Sequence, residues 1–533
     1  MSVQLGIGRD VASVDEASAS EALEGLVRDR VASRIFAQDP TLWGDEAEEE
    51  ASIRLGWTDV APAAEELIPR IEALREELSL RGVNRLVLCG MGGSSLAPAV
   101  ITRWAGVELT MIDSTHPDAV RRVLDPLLLP RTAVIVSSKS GGTIETRSHL
   151  AAFEHAFRSE GIDPAERVVI VTDPGSPLDD ESREAGRIVF NADPNVGGRF
   201  SALTAFGLVP SGLAGVDVRA LVDEAQSVRD ELADDSPENP ALRLAAAISA
   251  GLPRRFVLAV TEVAGAEWGL GAWIEQLIAE STGKDGLGVL PIALPSDVPE
   301  FAHAPANTVR VLVGPDLSGE SASSDGGVPS DIAVSAPLGA QMLLWETATA
   351  ALGRLMGIDP FNQPDVESAK VAARAALAAL ADGSSAANDD SAEASVAPSE
   401  LAERVRESVP EGGYLSVQAY VDPYGEHVEA LRELRRRLAV ALGAPVALGY
   451  GPSFLHSVGQ LHKGGPALGA FLQVLDPTAE DLAIPDSEST FGVLIAAQAR
   501  GDRSVLEERG RPVVVVTLAG DDDTALEELG AAL

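Results

Sequence analysis

Cysteine is nearly absent: Cys89 is the only one in 533 residues. That excludes an intramolecular disulfide framework and leads us to expect a reducing, cytoplasmic setting, with Cys89 itself a buried packing thiol. Lysine is almost as scarce, with Lys139, Lys284, Lys370 and Lys463 the only four among 41 basic residues. Positive charge of any kind is short, because 81 acidic residues leave a formal net charge of −40. Such a chain repels nucleic acid and anionic membrane, so neither is expected as a partner, and any anionic ligand must be held by a local concentration of donors. No apolar run is long enough to span a bilayer, and the opening MSVQLGIGRDVASVDE lacks the basic and apolar regions of a secretory signal. No cluster of His, Cys and Asp has metal-ligand spacing, so neither a metal nor a redox cofactor is expected.

The chain has ample apolar content, 45% of a length too great for a single core, so two or more domains are expected. Its most informative stretch is AVIVSSKSGGTIET, residues 133–146. The β-branched run Val134, Ile135, Val136 reads as a buried strand, and helical spacing resumes at Ile144. Between them lie Ser138, Lys139, Ser140, Gly141, Gly142 and Thr143. Hydroxyls, glycines and one lysine between a strand end and a helix start make a cradle for a dianion: the glycines admit close backbone N–H groups and the helix N-terminus adds partial positive charge. The same design occurs earlier, where RLVLC is followed by Gly90, Met91, Gly92, Gly93, Ser94 and Ser95 and then by LAPAVITRWAG. Two such units in one parallel sheet would point both turns at its carboxyl edge, where ligands bind.

Strand and helix alternate through this region: RLVLC, VELTMID, AVIVS, RVVIVTD and RIVF are the expected strands. Asp113, about twenty residues past a Gly-rich turn, raises the rival reading of a ribose-binding acid in a dinucleotide fold, but Ser95 stands where that fingerprint needs its third glycine. Downstream, NVGGRFSALTAFGL places Arg199 behind two glycines at a helix start, where it could reach an anion or pair with a buried acid. A strand over residues 255–261 and a helix over 265–280 then lead to Glu280 beside STGKDG. A carboxylate partly desolvated at an apolar helix end suits a general base, although glutamates at helix ends are more often solvated. All four lysines lie in or beside Gly- or Pro-rich segments, where a compact ammonium offers three movable donors that an arginine fork does not reproduce.

Five motifs, GMGGSSLAP, SSKSGGTIET, VGGRFS, AESTGKDG and MGIDPFNQPDVESAK, taken in this order over residues 85–370, resemble the successive signatures of the glucose-6-phosphate isomerase family. The resemblance implies an α/β fold of two sugar-isomerase (SIS) type, doubly wound parallel-sheet domains, here with a C-terminal α/β extension. It also implies aldose–ketose isomerisation of a hexose 6-phosphate through an enediol, a step of glycolysis and gluconeogenesis. Carried over position by position, Gly92, Gly93, Ser94, Ser138, Lys139, Ser140 and Thr143 would hold the phosphate, and Gln363 would line the sugar pocket. Glu280 would move the proton, Arg199 would stabilise the enediolate, and Lys370 would assist ring opening. A homodimer is the assembly the family suggests. The alternatives are a SIS-type phosphosugar sensor, which needs no poised base, and an isomerase that also accepts mannose 6-phosphate.

One family signature is missing. Members usually carry a GQHSFYQLIHQG-like segment between the base and the PFDQ motif, with a histidine that opens the sugar ring, and residues 290–357 contain nothing similar. Residues 451–466, GPSFLHSVGQLHKGGP, hold His456, His462 and Lys463 in a Gly-rich turn. Histidine shuttles protons near neutrality, so this loop is expected to supply the ring-opening group through His456 or His462, with Lys463 assisting binding. The tail resembles the isomerase half of transaldolase/glucose-6-phosphate isomerase fusions. The expected domains are an N-terminal helical segment (1–84), a first SIS domain with the phosphate cradle (85–215), a second SIS domain (216–381), a Ser/Ala/Asp-rich flexible linker (382–399) and the C-terminal α/β extension (400–533).

Overall fold

The structure is a computed structural model that describes residues 3–7, 15–263, 267–315, 328–365, 396–477, 480–518 and 523–533. Its first strand, β1 (Gln4–Ile7), stands before a series of helices that cover the sheets. The first sheet is built from β2 (Arg85–Gly90), β3 (Thr110–Ile112), β4 (Thr132–Ser137), β5 (Val168–Thr172) and β6 (Ile188–Asn191), all parallel, in the order β3-β2-β4-β5-β6. These are the five strands expected from the alternating pattern. The second sheet contains β7 (Val257–Glu262), β8 (Leu290–Ala293), β9 (Thr308–Gly314) and β10 (Ile332–Ser335), ordered β8-β7-β9-β10, with β1 added antiparallel to β10 at the edge. The third holds β11 (Tyr414–Tyr420), β12 (Val446–Tyr450), β13 (Gly469–Leu475) and β14 (Val513–Thr517), parallel and ordered β12-β11-β13-β14. Counted within each unit, the parallel strands of all three sheets begin 2-1-3-4. The tail is therefore a third doubly wound unit rather than an appendage.

Residues along each strand alternate between two cores, as a two-sided sheet requires. In the first sheet Leu88, Ile135 and Val169 face the large central core, while Val87, Cys89, Val134 and Val136 face a second core with Leu150, Phe153 and Phe157. Cys89 is fully buried and burial pushes its thiol up, in keeping with a packing role. The second sheet lends Val257 and Ala259 to a core shared with Tyr414, Tyr420, Phe454 and Leu461, so the third unit packs directly on the second.

Three expectations change. The N-terminal segment is not wholly helical: β1 pairs Leu5 with Val334 and Ile7 with Ile332, because the edge of the second sheet offers unpaired backbone groups. Strand β13, GAFLQVL, lies at the centre of the third sheet although the sequence pattern predicts no strand there. The linker ends early, since Pro398–Ser408 is a helix, and residues 382–395 lie outside the described residues. Among the described residues no helix is long and apolar enough to cross a membrane.

Candidate active site

In the order β3-β2-β4-β5 the direction of strand succession reverses between the parallel strands β2 and β4, and both Gly/Ser turns leave the carboxyl ends of those two strands. This is the switch point where doubly wound sheets bind ligands. After β4, Ser138 donates to Thr143 (Oγ to Oγ1, 3.1 Å). Thr143 precedes the helix Ile144–Ser159 without capping it, so the first-turn amides have no side-chain acceptor there. The helix Leu96–Ala105 after β2 likewise starts at Ser95 with no side-chain cap. Two helix N-termini therefore aim unsatisfied N–H groups at one place, an arrangement that favours an anion. Lys139 stands at the rim with its Nζ 2.6 Å from Asp173 Oδ2. Ser140 Oγ accepts from the Gly142 amide at 3.3 Å, and Ser94 is half-buried in the first turn.

Gly92 and Gly93 do more than expose backbone. Gly92 has φ +55°, and a Cβ there would lie 2.3 Å from the His456 carbonyl oxygen and 2.7 Å from Gln276 Nε2. A Cβ on Gly93 would lie 2.1 Å from the Gly198 oxygen. The pair is needed so that three distant segments can close on the first turn.

Those segments carry the chemistry. Glu280 ends the helix Leu270–Thr282 and is 7% exposed. Its Oε1 lies 3.3 Å from Arg199 Nη1, and its Oε2 accepts from Gln276 Nε2 at 3.1 Å. Gln276 Nε2 also donates to the His456 carbonyl at 2.9 Å, which fixes the amide's orientation and leaves its buried Oε1 without a partner. Arg199 is buried; its Nε donates to Ser281 Oγ (2.8 Å) and its Nη2 to the carbonyls of Pro360 (2.7 Å) and Asn362 (3.0 Å). Burial lowers its pKa, opposed by Glu280 and Asp359.

His456 reaches this centre from the third unit. Its Nε2 lies 3.0 Å from Glu145 Oε1, on the first turn of the helix after the cradle. Glu145 Oε1 also accepts from Gln498 Nε2 at 2.7 Å, and Thr115 Oγ1 donates to Gln498 Oε1 at 2.7 Å. Burial raises the Glu145 carboxyl, but the charge and hydrogen bond of the His456 ring, with the helix backbone and His149, together hold the group below its ordinary value. Asp113 accepts from Ser453 Oγ at 2.7 Å, so it ties the same loop to the first sheet instead of awaiting a ribose.

The other residues of that loop are corrected. His462 is buried between Tyr414, Phe454 and Phe471, and neither ring nitrogen has a partner; burial, then Lys463, drives its pKa well below the ordinary value. It offers no group to a ligand. Lys463 is spent internally, with Nζ 2.6 Å from Asp502 Oδ1 and both side chains buried. The short helix Gly459–Gly464 is buried along its whole length, which a Gly-rich sequence could not distinguish from an open turn. Gln363 is exposed beside the Arg199 and Lys284 anchors, and Lys370 lies outside the described residues.

Sequence reasoning did not assign Gln276, Glu145 or Gln498 to the site, nor Lys284 a place in it. Gln276 precedes Glu280 by one helical turn, a spacing that puts both on one face and was readable. Lys284 stands out in the sequence by lysine scarcity and by its Gly-rich surroundings, neither of which gives it a partner. Glu145 and Gln498, 353 positions apart, meet only through the fold.

No family model matches the chain. The chain is 35% identical over 210 residues to a probable glucose-6-phosphate isomerase of Haloarcula marismortui, covering 39% of this chain and 48% of that one, about half its length. It is 28% identical over 350 residues to a probable glucose-6-phosphate isomerase of Natronomonas pharaonis, covering 57% of this chain and 82% of that one. Among solved structures, a hypothetical protein of Thermus thermophilus superposes with a TM-score of 0.57 at 27% identity, covering 71% of this chain and all (100%) of that one. A glucose-6-phosphate isomerase of Chlamydia trachomatis shares the fold, with a TM-score of 0.56 at 22% identity over 71% of this chain and 89% of that one. By sequence the chain is similar to glucose-6-phosphate isomerases, and its doubly wound units share their SIS fold.

Proposed function

We propose that this chain interconverts glucose 6-phosphate and fructose 6-phosphate through an enediol intermediate, the isomerisation step of glycolysis and gluconeogenesis. The observation that carries the reading is the buried Glu280–Arg199 pair beside two uncapped helix N-termini at the switch point. An anion cradle alone would serve a sensor. A carboxylate held by a glutamine and faced by a guanidinium supports chemistry.

In this reading the phosphate takes the free amides of the two helices and the hydroxyls of Ser94, Ser138, Ser140 and Thr143, with Lys139 adding charge from the rim. His456, backed by Glu145, shuttles the proton, taking it from the C1 hydroxyl and delivering one to the ring oxygen, which opens the ring; Lys370 assists there. Glu280 then takes the proton from C2 of the aldose and returns it to C1, while Arg199 stabilises the oxygen that becomes negative in the enediolate. Gln363 contacts the sugar from the pocket's edge. The third unit supplies His456 from the same chain, and a homodimer is the expected assembly.

The test follows fructose 6-phosphate in D2O by NMR. Wild-type protein should form glucose 6-phosphate with deuterium at C2, and Glu280→Gln should do neither. Binding without conversion or exchange in the wild type would return the cradle to a sensor.

A further inference from the structure

Lys284 lies four residues past Glu280 and is 2% exposed. Its Nζ donates to the Asp359 carbonyl (2.6 Å), the Asn362 carbonyl (2.8 Å) and Asn362 Oδ1 (2.7 Å). An ammonium has three protons to give, so this one is fully used. Arg199 Nη2 anchors on the same turn, at the carbonyls of Pro360 (2.7 Å) and Asn362 (3.0 Å), so the Asn362 carbonyl serves both cations. Asp359 stiffens the turn by accepting from the Phe361 amide at 2.8 Å. The remaining side of Arg199 is the one that faces Glu280.

We infer that Lys284 is a positioning residue for the isomerisation proposed above: its ammonium holds the 359–362 turn, and that turn braces Arg199 so that Nη1 meets Glu280 and the reacting oxygens. The inference rests on the isomerase reading. A neutral amine has two donors for three acceptors, so the brace depends on the proton. The groups facing Lys284 are Arg199, Asp359, Glu280 and Asp285. Burial, then the Arg199 charge, brings its pKa down to about 7 against the opposing pull of the three carboxylates. The brace therefore loosens across neutrality, where the substrate phosphate is already ionised.

The experiment compares the full-length wild type, Lys284→Met and Asn362→Ala in steady-state conversion of fructose 6-phosphate across about pH 6 to 9. The wild-type kcat should fall on an alkaline limb near neutrality. Lys284→Met should lose about 10²-fold in kcat, keep KM within about threefold because the cradle is untouched, and show no such limb. Asn362→Ala removes one acceptor of the ammonium, so its limb should move to lower pH; it carries the test where Lys284→Met does not fold. Turnover in the wild type with unchanged kcat and limb in Lys284→Met, or an unmoved limb in Asn362→Ala, overturns the role of Lys284 alone. Absence of turnover in the wild type overturns the isomerase reading beneath it.

Discussion

Asp502→Asn is the substitution whose cost the structure defines most closely. Asp502 lies on the helix Phe491–Glu508 and Lys463 on Gly459–Gly464; their charged atoms are 2.6 Å apart, with side-chain exposures of 0% and 1%. Among the described residues, Lys463 Nζ otherwise donates to the Gly459 carbonyl, at 3.5 Å. Taking away the carboxylate charge leaves a desolvated ammonium, which costs about 3–5 kcal/mol where an exposed pair would cost about 0–1. Against a total stability of about 5–15 kcal/mol this loss is large. The double variant Lys463→Met, Asp502→Leu removes both charges and should recover most of it, since apolar replacement of a buried pair is often near neutral. Three units in one chain need not unfold together, so the assay is hydrogen exchange at residues 453–465 alongside urea midpoints. Exchange in that loop should quicken in Asp502→Asn and return toward wild type in the double variant. A single variant within about 1 kcal/mol of wild type, with unchanged exchange, would mean that the pair is solvated and the reasoning is wrong.

Gly92→Ala combines a positive φ of 55° with a Cβ 2.3 Å from the His456 carbonyl; the His456 loop must move, and we expect a stability loss of about 1–3 kcal/mol with a larger fall in kcat than in substrate affinity, read by thermal unfolding and steady-state kinetics. His456→Ala should slow conversion of ring-closed substrate far more than of the open-chain form, and Glu145→Gln, which removes the charge behind the ring, should do the same to a smaller degree; equal losses on both forms would remove His456 from ring opening. Stability should rise with pH between about 7 and 10, because Lys284 titrates at about 7 when folded and about 10.4 when unfolded. The unfolded chain then holds the extra proton, and ∂ΔG/∂pH is positive; urea midpoints of wild type and Lys284→Met at either end of the window should differ in slope, with the variant flatter.

Strand position was legible wherever β-branched runs met a Gly/Ser turn, as at AVIVSSKSGG, because a buried parallel strand has few other ways to be written. GAFLQVL at β13 was not, since glutamine interrupts the apolar run. Gln473 stands opposite Gln418 in register and donates to its Oε1 at 3.1 Å, a buried pairing that no local pattern announces. That Arg199 pairs with a buried acid was one of the readings its neighbours allowed. His462 and Lys463 were misread for one reason: a Gly-rich segment reads as an exposed turn, but Gly464 is there so that this helix can press on Gly283 and Asp365. The helix that follows His456 packs closely enough to turn His462 and Lys463 inward.

The shared 2-1-3-4 order raises the question of why one unit of three offers an anion site. In the first, the strand before the switch point ends in Gly90 and leads into glycines and uncapped amides. In the second, the equivalent strand ends in Glu262, whose carboxylate accepts from the amides of Trp268 (2.5 Å), Gly269 (3.2 Å) and Gly271 (3.3 Å) at the start of the helix that carries Glu280. The chain supplies its own anion there, and in doing so anchors the helix that must present the base. In the third, Asp422 follows the equivalent strand and takes Arg122 of the first unit, with Nη1 at 3.1 Å. A carboxylate at or just past the strand end repels a phosphate by charge, whether it takes backbone amides of its own unit, as Glu262 does, or a guanidinium of another, as Asp422 does. One topology thus carries free helix amides where the strand end is glycine and serine, an anchor for its own helix where it is Glu262, and a joint between units where Asp422 follows it. In a chain so poor in positive charge, an acid at or just past the strand end makes the second and third sheet edges unfit for a phosphate, which leaves the first as the proposed cradle.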